Sequence, residues 1–207
     1  MTVYSRLTML TANVNTPPKS YLLALLMLAV MTLQGCVVAV GAAGAMAAKV
    51  ANDRRTVGAQ LDDQNASSAV AYQWSGNETL KEQANLQVDI YNGVALLTGQ
   101  VPAQPLVAEA VSLAKKVEYV RKIHNQIRVA EPLSASRQAK DIWIASKVRA
   151  KLLADERIPA MQVKVIVQNS EVFLMGRLSN QEATAAVDVA RNVEGVSKVI
   201  RALEIMQ

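Results

Sequence analysis

The chain has 207 residues, is 51% hydrophobic, and carries a formal charge of +5 from 22 basic and 17 acidic side chains. That apolar content excludes an intrinsically disordered chain, and a single cysteine, Cys36, excludes a disulfide framework. With one histidine, His124, beside that cysteine, the composition argues against metal-cluster chemistry, and the mild basicity does not point to nucleic acid.

In chain order, the first signal is Lys19 followed by an apolar run from Tyr21 to Leu33. A basic flank and an apolar run of this length predict a secretory leader over residues 1–35, and the run is short for a bilayer-spanning helix, which needs ~20 apolar residues. Leu33-Gln34-Gly35-Cys36 resembles the bacterial lipobox, in which the cysteine is acylated and becomes the new N-terminus. Cys36 is therefore the expected lipidation site. Val37, rather than Asp, follows it, and by resemblance to sorting in Gram-negative lipoproteins this implies the outer membrane, facing the periplasm. Residues 36–60 are expected to be a tether. Val37 to Val50 is mostly Ala, Gly and Val, and Asp53–Gln60 is polar and turn-rich.

Two repeats fill the rest. Leu86–Val101 reads LQVDIYNGVALLTGQV, and Val163–Leu178 reads VKVIVQNSEVFLMGRL. At an offset of 77, Val88 meets Val165, Asn92 meets Asn169 and Gly99 meets Gly176; the offset then slips to 76, where Ala110, Ala114 and Val117 meet Ala186, Ala190 and Val193. Each unit opens with a helical stretch, weakly over Ser67–Trp74 in the first and clearly over Asp141–Ala154 in the second. Two short alternating strands follow, joined by Asn92-Gly93 or Asn169-Ser170, pairs that tolerate the positive φ of a tight hairpin. Gly99 and Gly176 are expected to end the second strand. A second helix comes next, with a capping box at Ser179 and Glu182 in the second unit and Gly195 at its closure. A last strand completes each unit, joined to the second by a right-handed parallel crossover. Leu96, Ala110, Ala114 and Val117 are expected to line one core, with Trp74 in it; Leu174, Ala186, Ala190 and Val193 are expected to line the other.

Gly93-Val-Ala-Leu-Leu-Thr-Gly99, then alanines four apart, then Val117, Val120 and Ile123, resemble the BON domain, found in tandem in periplasmic proteins. The resemblance implies an α+β fold: two tandem α-β-β-α-β BON domains, each a three-stranded mixed sheet with two helices on one face. The expected boundaries are 61–130 and 139–207, with a linker at 131–138. Tyr119 stands where the domain pattern has glycine, so the first unit should close its helix differently. The resemblance extends to outer-membrane lipoproteins with two such domains. It implies a non-enzymatic protein without cofactor that binds anionic phospholipid and supports envelope integrity, including at the division site. The alternative partner is an outer-membrane assembly protein docked on an open face or edge of either sheet.

The residues themselves carry no catalytic constellation. There is no phosphate loop, no G-x-S-x-G, and no partner marked for His124, which reads as structural. Asp62-Asp63 reads as solvated loop charge, without the spacing of a calcium loop. The informative segment is the helix Lys140–Ala154. At ~100° per residue, Ile144, Ala145, Val148 and Leu152 share one arc, and Trp143 falls well off it. Lys140 and Lys147 lie near Trp143, Lys151 lies towards the core edge, and Arg149 lies on the other flank with Ile142 and Leu153. An off-core Trp rimmed by cations suits a headgroup layer, so Trp143, Lys140, Lys147, Lys151 and Arg149 are the expected lipid-binding residues. Packing against the other domain or the linker is the competing reading for Trp143.

Overall fold

Residues 53–206 are described by the computed structural model, so the expected leader, Cys36 and most of the expected tether lie outside the described residues. The first helix, α1, runs from Val57 to Ser75 and so begins well before Ser67. Thr56 caps it, its hydroxyl accepting from the Ala59 amide at 3.1 Å. The helix was hard to read for a physical reason. Its buried positions are Asp63, Ala66, Val70 and Trp74, a helical stripe whose first member is an acid. Asp63 is not a solvated loop charge. It is buried, and its carboxylate accepts from the backbone amides of Asn92 at 2.6 Å and Gly93 at 2.9 Å.

A short helix absent from the sequence reading, α2 (Glu78–Gln83), follows, capped by Asn77 and anchored by buried Leu80. Strands β1 (Asn85–Tyr91) and β2 (Val94–Val101) form the expected hairpin, helix α3 (Gln104–Lys115) crosses over, and β3 (Lys122–Val129) pairs parallel to β2. The second unit repeats this order with α4 (Ala135–Leu153), a single 3-10 turn at Ala160–Gln162, β4 (Val163–Gln168), β5 (Glu171–Leu178), α5 (Asn180–Arg191) and β6 (Lys198–Ile205). Ser134 caps α4, which therefore takes in the end of the expected linker. The sheet orders are β1-β2-β3 and β4-β5-β6, mixed and three-stranded as expected.

The hairpin turns have the expected left-handed residues, with φ of 50° and 72° at Asn92 and Gly93 and 52° and 63° at Asn169 and Ser170. Asp141 does for the second turn what Asp63 does for the first, accepting from the amides of Asn169 at 2.7 Å and Ser170 at 2.8 Å. Gly99 and Gly176 do not end their strands. They lie inside β2 and β5, where the neighbouring strand enters so closely that a Cβ would stand 2.1 Å from the Asn85 carbonyl oxygen or 2.3 Å from that of Gln162. The capping box of α5 is formed by Ser179 and Glu182, and Gly195 has φ 91°. Tyr119 takes no positive φ; its hydroxyl reaches the Ala59 carbonyl at 3.4 Å, so the first unit closes this corner by packing the ring against the start of α1.

Each sheet presents one face to its own helices. In the second unit Leu174, Ala186, Ala190 and Val193 share one core with Ile144, Val148 and Leu152, as expected. In the first, Ala110 and Ala114 pack with Val70, Trp74 and Leu97, with half-buried Val117 against them, and the Trp74 indole nitrogen donates to the Ala110 carbonyl at 2.9 Å. Leu96 is not in that core. It is fully buried on the opposite face of β2, in a cluster with Tyr91, Ile166, Phe173 and Met175. Side chains alternate along a strand, so one residue separates the two faces: Leu97 takes the position equivalent to Leu174, and Leu96 that of Phe173. The helix-free faces of the two sheets thus pack against each other, and the open sheet face expected as a docking surface is covered.

Candidate functional site

The inward side of α4 is fixed by burial of Asp141, Ile144, Ala145, Val148 and Leu152. That leaves an outward arc on which Trp143 is 53% exposed and Ile142 and Leu153 are each 69% exposed. Among the described residues, Trp143 belongs to neither domain core and not to the cluster between the sheets. Lys147 lies over it, with Nζ 3.4 Å from the ring centroid, and the same ammonium is 3.1 Å from Glu194. Lys140 and Lys151 are exposed on the same side of the helix. Arg149 is set apart: its guanidinium donates to the Val165 carbonyl of edge strand β4 at 2.7 Å, which turns it away from the lysines. The structure therefore brings together Trp143, Lys140, Lys147 and Lys151, and places Arg149 on the flank with Ile142 and Leu153. Ile142 and Leu153 widen the apolar part of this surface. The helical wheel already showed them off the core arc, so their exposure was legible as soon as the arc was drawn.

The matching helix of the first unit offers nothing similar. Asp63 and Asp141 are equivalent, an offset of 78, which sets Asn65 opposite Trp143, Asp62 opposite Lys140, Ala69 opposite Lys147 and Gln73 opposite Lys151. No lysine or arginine occurs in Val57–Ser75.

His124 lies on β3 opposite Leu96, on the side facing the second domain. Burial first, and Lys122 second, hold its pKa below the ordinary histidine value, which keeps it neutral. Among the described residues no nucleophile or acid pairs with it, and no three His, Cys, Asp or Glu side chains gather as a metal site. The ionisable groups with the largest shifts belong to ion pairs: Glu182 is pulled down to about 2, chiefly by its hydrogen bonds from Arg54.

Comparison with known proteins matches this architecture. The BON domain pattern covers residues 62–131 and 140–207. The chain is 40% identical over 184 residues to outer membrane lipoprotein DolP of Haemophilus influenzae, covering 89% of this chain and 95% of that protein. It is 43% identical to a 21 kDa hemolysin of Actinobacillus pleuropneumoniae, over 75% of this chain and 80% of that one. It is 31% identical to osmotically-inducible protein Y of Escherichia coli, over 73% and 76%. Among solved structures, the C-terminal domain of CdsD, a structural protein of the Chlamydia trachomatis type III secretion system, aligns at 15% identity with a TM-score of 0.28, over 70% of this chain and 67% of that one. The chain belongs to the BON-domain family and, within it, to the non-enzymatic outer-membrane lipoproteins that carry two such domains.

Proposed function

We propose that this lipoprotein binds anionic phospholipid through the outward face of α4, and that Cys36 carries the acyl anchor that holds it at the outer membrane. The observation that carries the reading is Trp143, more than half exposed on a helix whose other large apolar residues at core positions are fully buried, with Lys147 on its ring and Lys140 and Lys151 beside it. An indole in that position places its ring at headgroup depth, and cations near an anionic leaflet add roughly 1 kcal/mol each. Ile142 and Leu153 add apolar area on the adjoining flank, with Arg149 as a further cation near the surface. The protein supports envelope integrity from this position and gathers where anionic lipid is dense, the division site among them.

Vesicle flotation tests it, with the full chain carrying Cys36→Ala so that acylation contributes nothing. Trp143→Glu removes the ring and sets an acid against anionic headgroups; binding to anionic vesicles should fall about tenfold or more, with the melting temperature nearly unchanged. Unchanged binding would refute the lipid reading, and co-purification with an outer-membrane assembly protein regardless of Trp143 would favour the adaptor reading. Cys36→Ala should by itself release the chain from the outer-membrane fraction.

A further inference from the structure

Asp53-Arg54-Arg55 is used by nothing so far, yet its side chains are tightly engaged. Arg54 is held by the second domain. Its backbone amide donates to Gln162 Oε1 at 2.8 Å, its guanidinium donates to the Arg177 carbonyl at 3.0 Å, and two of its nitrogens grip the Glu182 carboxylate at 2.8 Å each. Arg177 returns a bond to the Arg54 carbonyl at 3.1 Å. Arg55 is held by the first domain. It donates to Asp63 at 2.6 Å and lies 3.8 Å over the Tyr91 ring, while Asp53 holds it from the other side at 2.7 Å. Two consecutive residues thus grip opposite domains.

The surface between the domains needs such a tie. Its apolar cluster is small, and the same sheet faces carry buried polar atoms without hydrogen-bond partners among the described residues: Thr98 Oγ1, Gln100 Oε1 and His124 Nε2. Buried, unpaired polar atoms subtract from what the apolar contacts contribute, and domains joined by a modest, polar interface move relative to each other by default. Other links across the gap are single contacts: Lys164 with Asp89 and Arg128 with Glu171, each with an exposed cation, and the Asn92 side-chain amide donating to Glu204 at 2.6 Å. The Arg54 grip on Glu182 is two-pronged and the Arg55 pairs are the least exposed of the three sets, which is the arrangement in which an arginine–carboxylate pair holds geometry best.

We propose that Asp53–Arg55 is a clasp that locks the two BON domains in one orientation, and that freeing Arg54 lets them swing about the segment between β3 and α4 with each domain intact. The clasp precedes α1 on the side of Cys36, so a pull along the chain from that direction reaches it before it reaches either domain. It thereby sets how α4 is presented relative to the incoming chain. The proposal does not depend on what α4 binds.

The test is a distance between domains in the full-length chain. Cys36→Ser removes the native thiol, and Ser68→Cys on α1 and Thr184→Cys on α5, both exposed, carry spin labels for pulsed electron paramagnetic resonance. The parent should give a single narrow distance. Arg54→Ala should replace it with a broad distribution while circular dichroism and the amide spectrum of each domain stay native, and Arg54→Lys, which keeps charge without the fork, should fall between. Lys164→Ala, which cuts an exposed pair only, should keep the narrow distance. If Arg54→Ala does not fold, Gln162→Ala combined with Arg54→Lys carries the same expectation of broadening. A narrow distance unchanged in the Arg54 variants, or equal broadening on Lys164→Ala, would overturn the clasp.

Discussion

Helices α1 and α4 are copies of one element, and the contrast between their two sides separates what the fold requires from what the function adds. Inward they agree. Asp63 and Asp141 each accept two hairpin amides, Val70 and Val148 are fully buried, and Trp74 and Leu152 fill the far end of each core. Outward, at the positions of the aromatic and basic cluster, they differ throughout: Trp143, Lys140, Lys147 and Lys151 stand where the first unit has Asn65, Asp62, Ala69 and Gln73. Packing constrains the first set through volume and buried hydrogen bonds, whereas solvent leaves the second set free to specialise. A duplicated domain therefore shows its specialised surface as the place where equivalent, exposed positions differ in charge and aromatic content.

Removing the shared inward acid should have the largest effect and should not be equal in the two units. Asp141→Ala strips two amides of a charged acceptor, a loss of about 2–3 kcal/mol in urea unfolding. Asp63→Ala does the same and also leaves Arg55 half-buried without that partner, so about 3–5 kcal/mol is expected. Equal losses would mean that Arg55 adds nothing to the first clamp. A loss under about 1 kcal/mol in both would mean the turns do not need their acids.

Moving the outward residues tests the other half of the comparison. In a chain already silenced by Trp143→Glu, the pair Asn65→Trp and Asp62→Lys should give α1 an indole and a cation in the arrangement of α4. Both sites are exposed, so stability should hardly move. Binding to anionic vesicles should return by about tenfold over the silenced chain, and it should weaken with added salt. If Trp143→Glu silences binding but the graft restores none, the tilt of the whole domain on the bilayer, rather than the helix face, decides which unit touches lipid.

Most of the fold was legible because its carriers are periodic or punctuating: alternating Val163, Val165 and Val167, the turn pairs Asn92-Gly93 and Asn169-Ser170, and the capping box at Ser179 and Glu182. What escaped did so for two reasons. Asp63 and Asp141 are acids at core positions, so burial through hydrogen bonds to a turn distant in sequence leaves no local pattern, and the sequence places the start of α1 ten residues after its true start at Val57. Leu96 and Leu97 are adjacent and equally apolar, so alternation alone cannot say which one faces the helices when both sheet faces are covered. The outward face of α4 was legible from the wheel, because an exposed Trp among lysines breaks the rule that large aromatics are buried. Arg149 stands on the flank where the wheel puts it, with Ile142 and Leu153; its bond to the Val165 carbonyl depends on the edge strand beside it and leaves no local pattern.

A finer difference lies at the crossover helices. Helix α5 starts with Ser179 and Glu182 in a capping box, and Arg54 binds the same carboxylate; α3 starts from Ala103 with no side-chain cap. Glu182 is held at about 2, first by its hydrogen bonds from Arg54 and then by those from Ser179, against an ordinary value of 4.5. A carboxyl whose pKa is lowered by folding stabilises the native state fully above its unfolded value and loses that contribution as pH falls through its folded value. The stability difference between the parent chain and Glu182→Gln should therefore be constant above pH 4.5 or so, shrink as pH falls, and be gone near pH 2. The loss should appear in the fluorescence of Trp143, which reports the second domain, and not in that of buried Trp74, which reports the first, read in single-tryptophan variants. A shift appearing equally at Trp74 would mean that the two domains unfold as one unit and that the Arg54–Glu182 pair stabilises both through their joint, which goes beyond a clasp that fixes orientation while each domain stays intact.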